Sequence, residues 1–302
     1  MIPVPPSIRA SLARKFNTTA AGLTHFGGGD ESSDGIVYAY PHADGRRLLK
    51  VMAVPVDDQH RGILCLEERL RFMRYLGDHD AHIAFPQRSP QGRLYETVSD
   101  AEHLWIGYSM DIAPGEAPAQ DAWDPRLFRN WGQAIGQLHR LAMDYPPASL
   151  DPESGESFLT WEEEWGGFYQ WCQEDDVRAQ WVAIKEQLDA LPLPGEPRAF
   201  GFIHNDPHIW NLRVDDDRAA DALKVTILDF DVANHHWFVN DIAIACQSVL
   251  IFLSGGLNGP VHHREKLIGF LEHFMEGYER EHNLAAEWLN RLDLFIAYRR
   301  IL

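Results

Sequence analysis

In the first third of the chain, apolar residues come in short β-type runs separated by turn formers. The segment GIVYAYPHADGRRLLKVMAV carries two such runs around Ala43-Asp44-Gly45, the composition of a hairpin turn, and TTAAGLTHF before it reads as a further strand. Periodicity then changes. In ILCLEERLRFMRYLGD, Leu66, Leu70, Met73 and Leu76 recur at helical spacing, with Gly77 standing where a C-terminal stop belongs. RLYETVSDAEHLWIGYSMDIAPG adds two apolar runs and breaks at Ala113-Pro114-Gly115. Residues 1–112 therefore predict a small antiparallel sheet crossed by one helix.

From Asp124 the pattern is helical. DPRLFRNWGQAIGQLHRLAM opens with an N-cap aspartate and a proline at the first helical position, and it lines up Leu127, Trp131, Ile135, Leu138 and Leu141 on one face. Further helices are expected in WEEEWGGFYQWCQ and VRAQWVAIKEQLDAL. After LPLPGEP, two β-type runs appear, FGFIHND and VTILDFDVA, with DDDR between them as a turn. DIAIACQSVLIFL, REKLIGFLEHFMEGYERE and EWLNRLDLFIAYRR complete a mainly helical second part, residues 113–302.

The candidate chemistry lies at the two β-type runs. His204-Asn205-Asp206-Pro207-His208-Ile209-Trp210-Asn211 has the form H-x-D-x-x-x-x-N. Phosphoryl transfer asks a protein to hold metal-bridged phosphates and to set a carboxylate beside the attacking hydroxyl, and this spacing serves both tasks within one loop. A second acidic loop, Asp229-Phe230-Asp231, closes the apolar run that follows, where a metal-holding carboxylate is expected.

HNDPHIWN followed by ILDFD and then WFVNDIA resembles the aminoglycoside-phosphotransferase and choline-kinase superfamily, a branch of the protein-kinase-like fold. The resemblance implies an α+β two-lobe fold, a small antiparallel sheet lobe plus a larger mainly helical lobe. It implies a small-molecule kinase that moves the γ-phosphate of ATP, with GTP not distinguished, to the hydroxyl of an aminoglycoside, amino alcohol, homoserine or sugar-like acceptor. By the same resemblance Asp206 is the catalytic carboxylate, Asn211 and Asp229 hold Mg2+, and Asp241 braces the catalytic loop from a helix N-terminus, which it also caps. Lys50 takes the place of the strand lysine that meets the phosphates. Glu67 and Glu68 both qualify as its partner; they face different sides of a helix, and Glu68 is preferred. Gly28, Gly29 and Ser32 belong to a glycine-rich turn that covers phosphates or merely closes a hairpin. Ser109, Met110 and Ile112 fall in the stretch expected to meet adenine.

The chain departs from protein kinases at Asn205, where arginine often stands, and at Asp231, where the glycine of DFG would be. It also lacks an A-P-E segment, which argues against a Ser/Thr protein kinase; that reading and a non-catalytic nucleotide-binding pseudokinase are the two alternatives. His204 is expected to brace its loop through the backbone, and His139 to sit at the edge of the core. No H-E-x-x-H or C-x-x-C frame supports zinc. Trp161-Glu162-Glu163-Glu164-Trp165 has two readings: a cation-attracting patch, or two tryptophans packed on a helix with the acids on its solvated face.

Composition narrows the partners. With 45 acidic against 27 basic residues the formal charge is −18, which disfavours nucleic acid and has two readings: it keeps the protein in solution, or it draws in a cationic acceptor. No apolar run reaches membrane-spanning length, and MIPVPPSIRA has proline where a signal peptide is apolar, so the expectation is a cytoplasmic protein. Cys65, Cys172 and Cys246 lack metal spacing and read as small apolar groups.

Overall fold

A computed structural model describes residues 2–29, 35–118, 123–148, 150–191, 198–217, 222–254 and 264–302. Its contacts divide the chain into two units, Met1–Asp78 with Ile83–Ala113, and His79–His82 with Pro114–Leu302. Among the described residues no helix is long and apolar enough to cross a membrane.

The first unit contains α1 (Pro6–Lys15), β1 (Thr24–Gly28), β2 (Ile36–His42), β3 (Gly45–Pro55), α2 (Gln59–Asp78), β4 (Pro86–Gln87), β5 (Glu96–Ser99) and β6 (His103–Asp111). The strands form one antiparallel sheet in the order β1-β2-β3-β6-β4, with β5 also paired to β6. The hairpin foreseen at Ala43-Asp44-Gly45 joins β2 to β3, and Gly45 takes the positive φ, 127°, that this turn requires.

α1 was not foreseen. Ile8 and Leu12, four apart on that helix, join Phe16, Leu49, Val51 and Trp105 in a buried cluster, each such burial being worth about 1.5–3 kcal/mol. Side chains alternate along a strand, so Leu49 and Val51 point to α1 while Lys50, Met52 and Val54 point to the other face. α2 covers that second face: a Cβ at Gly62 would fall 2.6 Å from Val54 Cγ1. Gly77 is not a helix stop. α2 runs through it to Asp78, and the missing side chain makes room for the Phe85 ring, which a Cβ would meet at 2.5 Å.

The second unit contains α3 (Pro125–Ala142), α4 (Trp161–Trp171), α5 (Asp175–Asp189), β7 (Phe200–Ile203), β8 (Leu212–Asp217), β9 (Ala222–Ile227), β10 (Asn234–Trp237), α6 (Phe238–Ser254), α7 (Arg264–Tyr278), α8 (Ala286–Leu289) and α9 (Leu292–Ile301). Asp124 caps α3 as expected, accepting from Arg126 N at 2.8 Å. Glycines let α3 and α7 approach backbone to backbone. A Cβ at Gly132 would run into the Phe274 carbonyl, one at Gly277 into that of Arg129, and one at Gly136 would lie 2.5 Å from that of Tyr278.

The β segments differ from expectation in pairing. The polar stretch after Asn211 is itself β8, so Asp215, Asp216 and Asp217 lie in a strand; Arg218, the last residue of the expected turn, lies outside the described residues. β7 pairs with β10, whose NHHW carries no apolar alternation to announce it: Ile203 opposes Asn234 and Phe200 opposes Trp237. The last helical stretch is broken into α8 and α9.

Candidate active site

β7 ends at Ile203 and delivers His204, Asn205 and Asp206 into a loop whose backbone is gripped from α6. The Asp241 carboxylate, fully buried, accepts from His204 N at 3.2 Å and from Asn205 N at 2.8 Å. It thus braces the loop, and its hydrogen bonds among the described residues run to that loop and to His139, not to the first turn of its own helix.

Behind Asp241 stands His139, at the centre of the core and not at its edge. Its Nε2 lies 3.1 Å from Asp241 Oδ2 and its Nδ1 lies 2.8 Å from the Tyr278 hydroxyl. Burial lowers the imidazole pKa against the pull of Asp241, and burial raises that of Tyr278. A neutral ring then donates Nε2–H to the carboxylate and accepts the phenolic proton at Nδ1. The close α3–α7 contact is what brings Tyr278 to His139.

His204 does brace the loop through backbone: its Nδ1 accepts from Asp206 N at 3.1 Å and its Nε2 donates to Leu228 O at 2.8 Å. Asn205 has φ 65°, a left-handed conformation that asparagine adopts more readily than arginine. Its side chain fixes that state by accepting from Asn240 Nδ2 at 2.8 Å and donating to Glu164 Oε2 at 3.0 Å and Val232 O at 3.3 Å.

Asp206 and Asn211 come together. A 3-10 turn, Ile209–Asn211, folds the segment back, and Asn211 Nδ2 donates to Asp206 O at 3.0 Å and approaches its Oδ2 at 3.4 Å. His208 accepts from Asn211 N at Nδ1, 3.1 Å, which leaves the proton on Nε2, 3.4 Å from Asp206 Oδ2. Burial lowers the His208 pKa more than Asp206 raises it. Asp229 follows β9 with φ 65° and an exposed side chain, and the adjacent Leu228 N donates to Asn211 O at 2.9 Å.

Two groups at this loop were not foreseen. Arg299, on α9, donates from Nη2 to Asp206 Oδ1 at 2.6 Å and places Nη1 3.6 Å from Glu164 Oε1. Glu164 is no solvated acid. Burial raises its pKa, opposed by Arg299, Asn205 and Asn234, whose Nδ2 is 3.4 Å from Oε2. Trp161 is buried against Trp237 and Trp165 stacks on Tyr169, so the packed-tryptophan reading holds while one of the three acids turns inward. The signal was present: Glu164 follows the buried Trp161 by three positions, as Arg299 follows the buried Phe295 by four.

In the first unit, Lys50 and Glu68 are buried on the α2 side of the sheet. Glu67 instead accepts from the Tyr95 hydroxyl at 2.6 Å. Gly28 and Gly29 end β1 with φ 66° and 92°, and Gly29 N donates to Gly35 O at 3.2 Å to close the turn. A Cβ at Gly35 would lie 2.7 Å from Val51 O and 3.5 Å from Lys50 Cε, so Gly35 packs on the lysine stem. Ser32 lies outside the described residues. Ser109 is buried on β6 with its Oγ 2.7 Å from the Tyr40 hydroxyl; Met110 pairs with Leu48 and Pro86, and Ile112 follows the strand, exposed.

The chain is similar to proteins already known. The chain is 27% identical over 235 residues to the amicoumacin kinase of Bacillus subtilis (strain 168), a match that takes in 77% of this chain and 66% of that protein. Among solved structures, an amicoumacin kinase in complex with AMP-PNP and Ca2+ superposes with a TM-score of 0.76 at 24% identity, over 93% of this chain and 79% of that one. A microcompartment-associated aminopropanol kinase gives 0.69 at 19%, over 97% and 86%. At these identities the likeness is one of fold, an antiparallel sheet lobe with a helical lobe. Residues 58–289 match the model of the phosphotransferase enzyme family, and the chain belongs to that family.

Proposed function

We propose that the protein transfers the γ-phosphate of ATP to a hydroxyl of a small, amine-bearing molecule, with Asp206 as the carboxylate beside that hydroxyl. The observation that carries the proposal is the convergence of Asp206 and Asn211 on one loop whose backbone is held by the buried Asp241. A positioned carboxylate orients the hydroxyl and takes its proton as the bond to phosphorus forms.

The donor set suits a hard divalent ion. Asn211 spends its amide nitrogen on Asp206, which turns Oδ1 away as an oxygen donor, and Asp229 presents a carboxylate after the neighbouring strand. Mg2+ held by Asn211 and Asp229 would supply charge neutralisation at the phosphates. In residues 1–112, the buried Lys50 is assigned as the lysine that meets the α- and β-phosphates with the buried Glu68 as its partner, Gly28, Gly29 and Ser32 as the turn over the phosphates, and the Ser109–Ile112 backbone as the adenine contact. Residues 113–302 carry catalysis and acceptor binding.

An amine-bearing acceptor is supported by the net charge of −18, which draws cations, and by relatives named for amicoumacin and aminopropanol. The test is ADP release over a panel of amino alcohols, aminoglycosides, homoserine and sugars, alongside Asp206→Ala. Acceptor-dependent turnover that Asp206→Ala lowers by about 10³-fold or more, with nucleotide binding kept in a thermal-shift assay, is expected. Nucleotide binding without turnover on any acceptor would make the protein a pseudokinase instead.

A further inference from the structure

We propose that Arg299 is a positioning residue for phosphotransfer: its guanidinium, ion-paired at 3.6 Å with the part-buried Glu164, aims the carboxylate of Asp206. The inference rests on Asp206 being the carboxylate at the acceptor hydroxyl.

Asp241 fixes the loop backbone at His204 and Asn205, but it does not reach the Asp206 side chain. That carboxylate meets Asn211 Nδ2 and His208 Nε2 at 3.4 Å each, beyond the range of a strong hydrogen bond. Its short contact among the described residues is to Arg299 Nη2, 2.6 Å from Oδ1. A charge-assisted bond of that length outweighs two marginal ones, so α9 sets the orientation of the group.

The guanidinium is itself held. Nη1 faces Glu164 Oε1, and Oε2 of the same carboxylate accepts from Asn205 Nδ2 and Asn234 Nδ2, which ties the arginine to the catalytic loop and to β10. Two nitrogens of one planar fork serve two carboxylates, a task a lysine ammonium performs poorly. Phe295 and Tyr298, buried on the same helix, fix the arginine's backbone. A carboxylate has about four acceptor directions, so the arginine leaves room for an acceptor hydroxyl on Asp206.

The test compares wild type, R299A, R299K, E164Q, R299A/E164Q and D206A in steady-state ADP release, with water as acceptor and with the best acceptor of the panel. R299A is expected to lose about 10²-fold in kcat while KM for Mg·ATP stays within about threefold, the effect of misplacing a reacting group by about an ångström. R299K should recover part of the loss. Guanidinium ion at millimolar concentration should raise kcat of R299A several-fold and leave wild type and D206A unchanged. R299A/E164Q should be no slower than R299A, because both substitutions remove the same clamp.

Full kcat in R299A beside an inactive D206A overturns the proposal and leaves Asp206 in its role. So does a loss in R299A that guanidinium does not relieve and that follows a lowered Tm, since that is a packing effect. Should R299A melt below the assay temperature, R299K decides, and an unaltered kcat there overturns the proposal. Should D206A turn over like wild type, the assignment of Asp206 falls, and this proposal falls with it.

Discussion

Asp241→Asn isolates the brace of the catalytic loop with little change of volume. The native carboxylate is fully buried and takes three donors: His204 N at 3.2 Å, Asn205 N at 2.8 Å and His139 Nε2 at 3.1 Å. In the variant, Oδ1 keeps the bond from Asn205 N, while an NH2 group replaces Oδ2 and confronts His204 N and His139. His139 can answer by shifting its proton, accepting at Nε2 and donating from Nδ1 to the Tyr278 oxygen. His204 N cannot, and a buried donor left unpaired costs about 1–3 kcal/mol, to which the lost charge on the Asn205 bond adds about 1 kcal/mol. The sum, about 2–4 kcal/mol, should lower Tm by roughly 3–6 °C in a chain of this size. Turnover should fall about 10- to 100-fold as residues 204–206 lose their fixed path. Asp241→Ala strands all three donors, at about 3–9 kcal/mol, and approaches the whole stability of a domain. Calorimetry and ADP-release kinetics measure both effects. A Tm within about 1 °C of wild type together with kcat within twofold would refute the brace.

Two other expectations concern stability. Gly132→Ala drives a methyl into the Phe274 carbonyl and should cost about 1–3 kcal/mol or more, whereas Gly166→Ala, with nothing within 4 Å of its Cβ, should gain about 0.5–1 kcal/mol; thermal melts of opposite sign check the pair. Burial holds His236 at a pKa of about 3 and His282 at about 4, against about 6.5 when unfolded, so below pH 6.5 the unfolded chain binds more protons and stability falls as pH drops towards those folded values. Each contributes at most about 1.4 kcal/mol per pH unit, and His236→Phe should flatten the decline between pH 6 and pH 5 by about that amount in denaturant titrations.

Local signals were legible where one residue type had one physical reason to be there. Asp124-Pro125 announced a helix start because a side-chain cap and a fixed φ act within four residues, and Ala43-Asp44-Gly45 announced a hairpin for the same kind of reason. β10 was opaque because Asn234-His235-His236-Trp237 has no apolar alternation; its pairing with β7 is set by packing of Trp237 on Trp161, Phe200 and Phe295. Gly77 and Gly132 look alike in sequence, a glycine in a helical pattern, yet one clears an aromatic ring and the other a backbone carbonyl of a helix more than a hundred residues away. No local rule separates those uses.

The same division runs through the site. H-x-D-x-x-x-x-N names the groups proposed to meet phosphate and acceptor, because their spacing is dictated by a single loop. The groups that hold the loop come from elsewhere: His139 from α3, Asp241 from α6, Tyr278 from α7, Glu164 from α4 and Arg299 from α9. Each is one polar side chain on an otherwise apolar helix face, which in sequence looks like an ordinary buried or surface residue. Two chains of such residues meet at the loop, Tyr278–His139–Asp241 at its backbone and Asn234–Glu164–Arg299 at the carboxylate of Asp206. A loop held only through its backbone would leave Asp206 free to rotate, and a carboxylate held only by α9 would ride on a mobile loop. In the role proposed for Asp206, orientation of its oxygen to within a fraction of an ångström therefore requires both, and loss of either should show in kcat before it shows in KM.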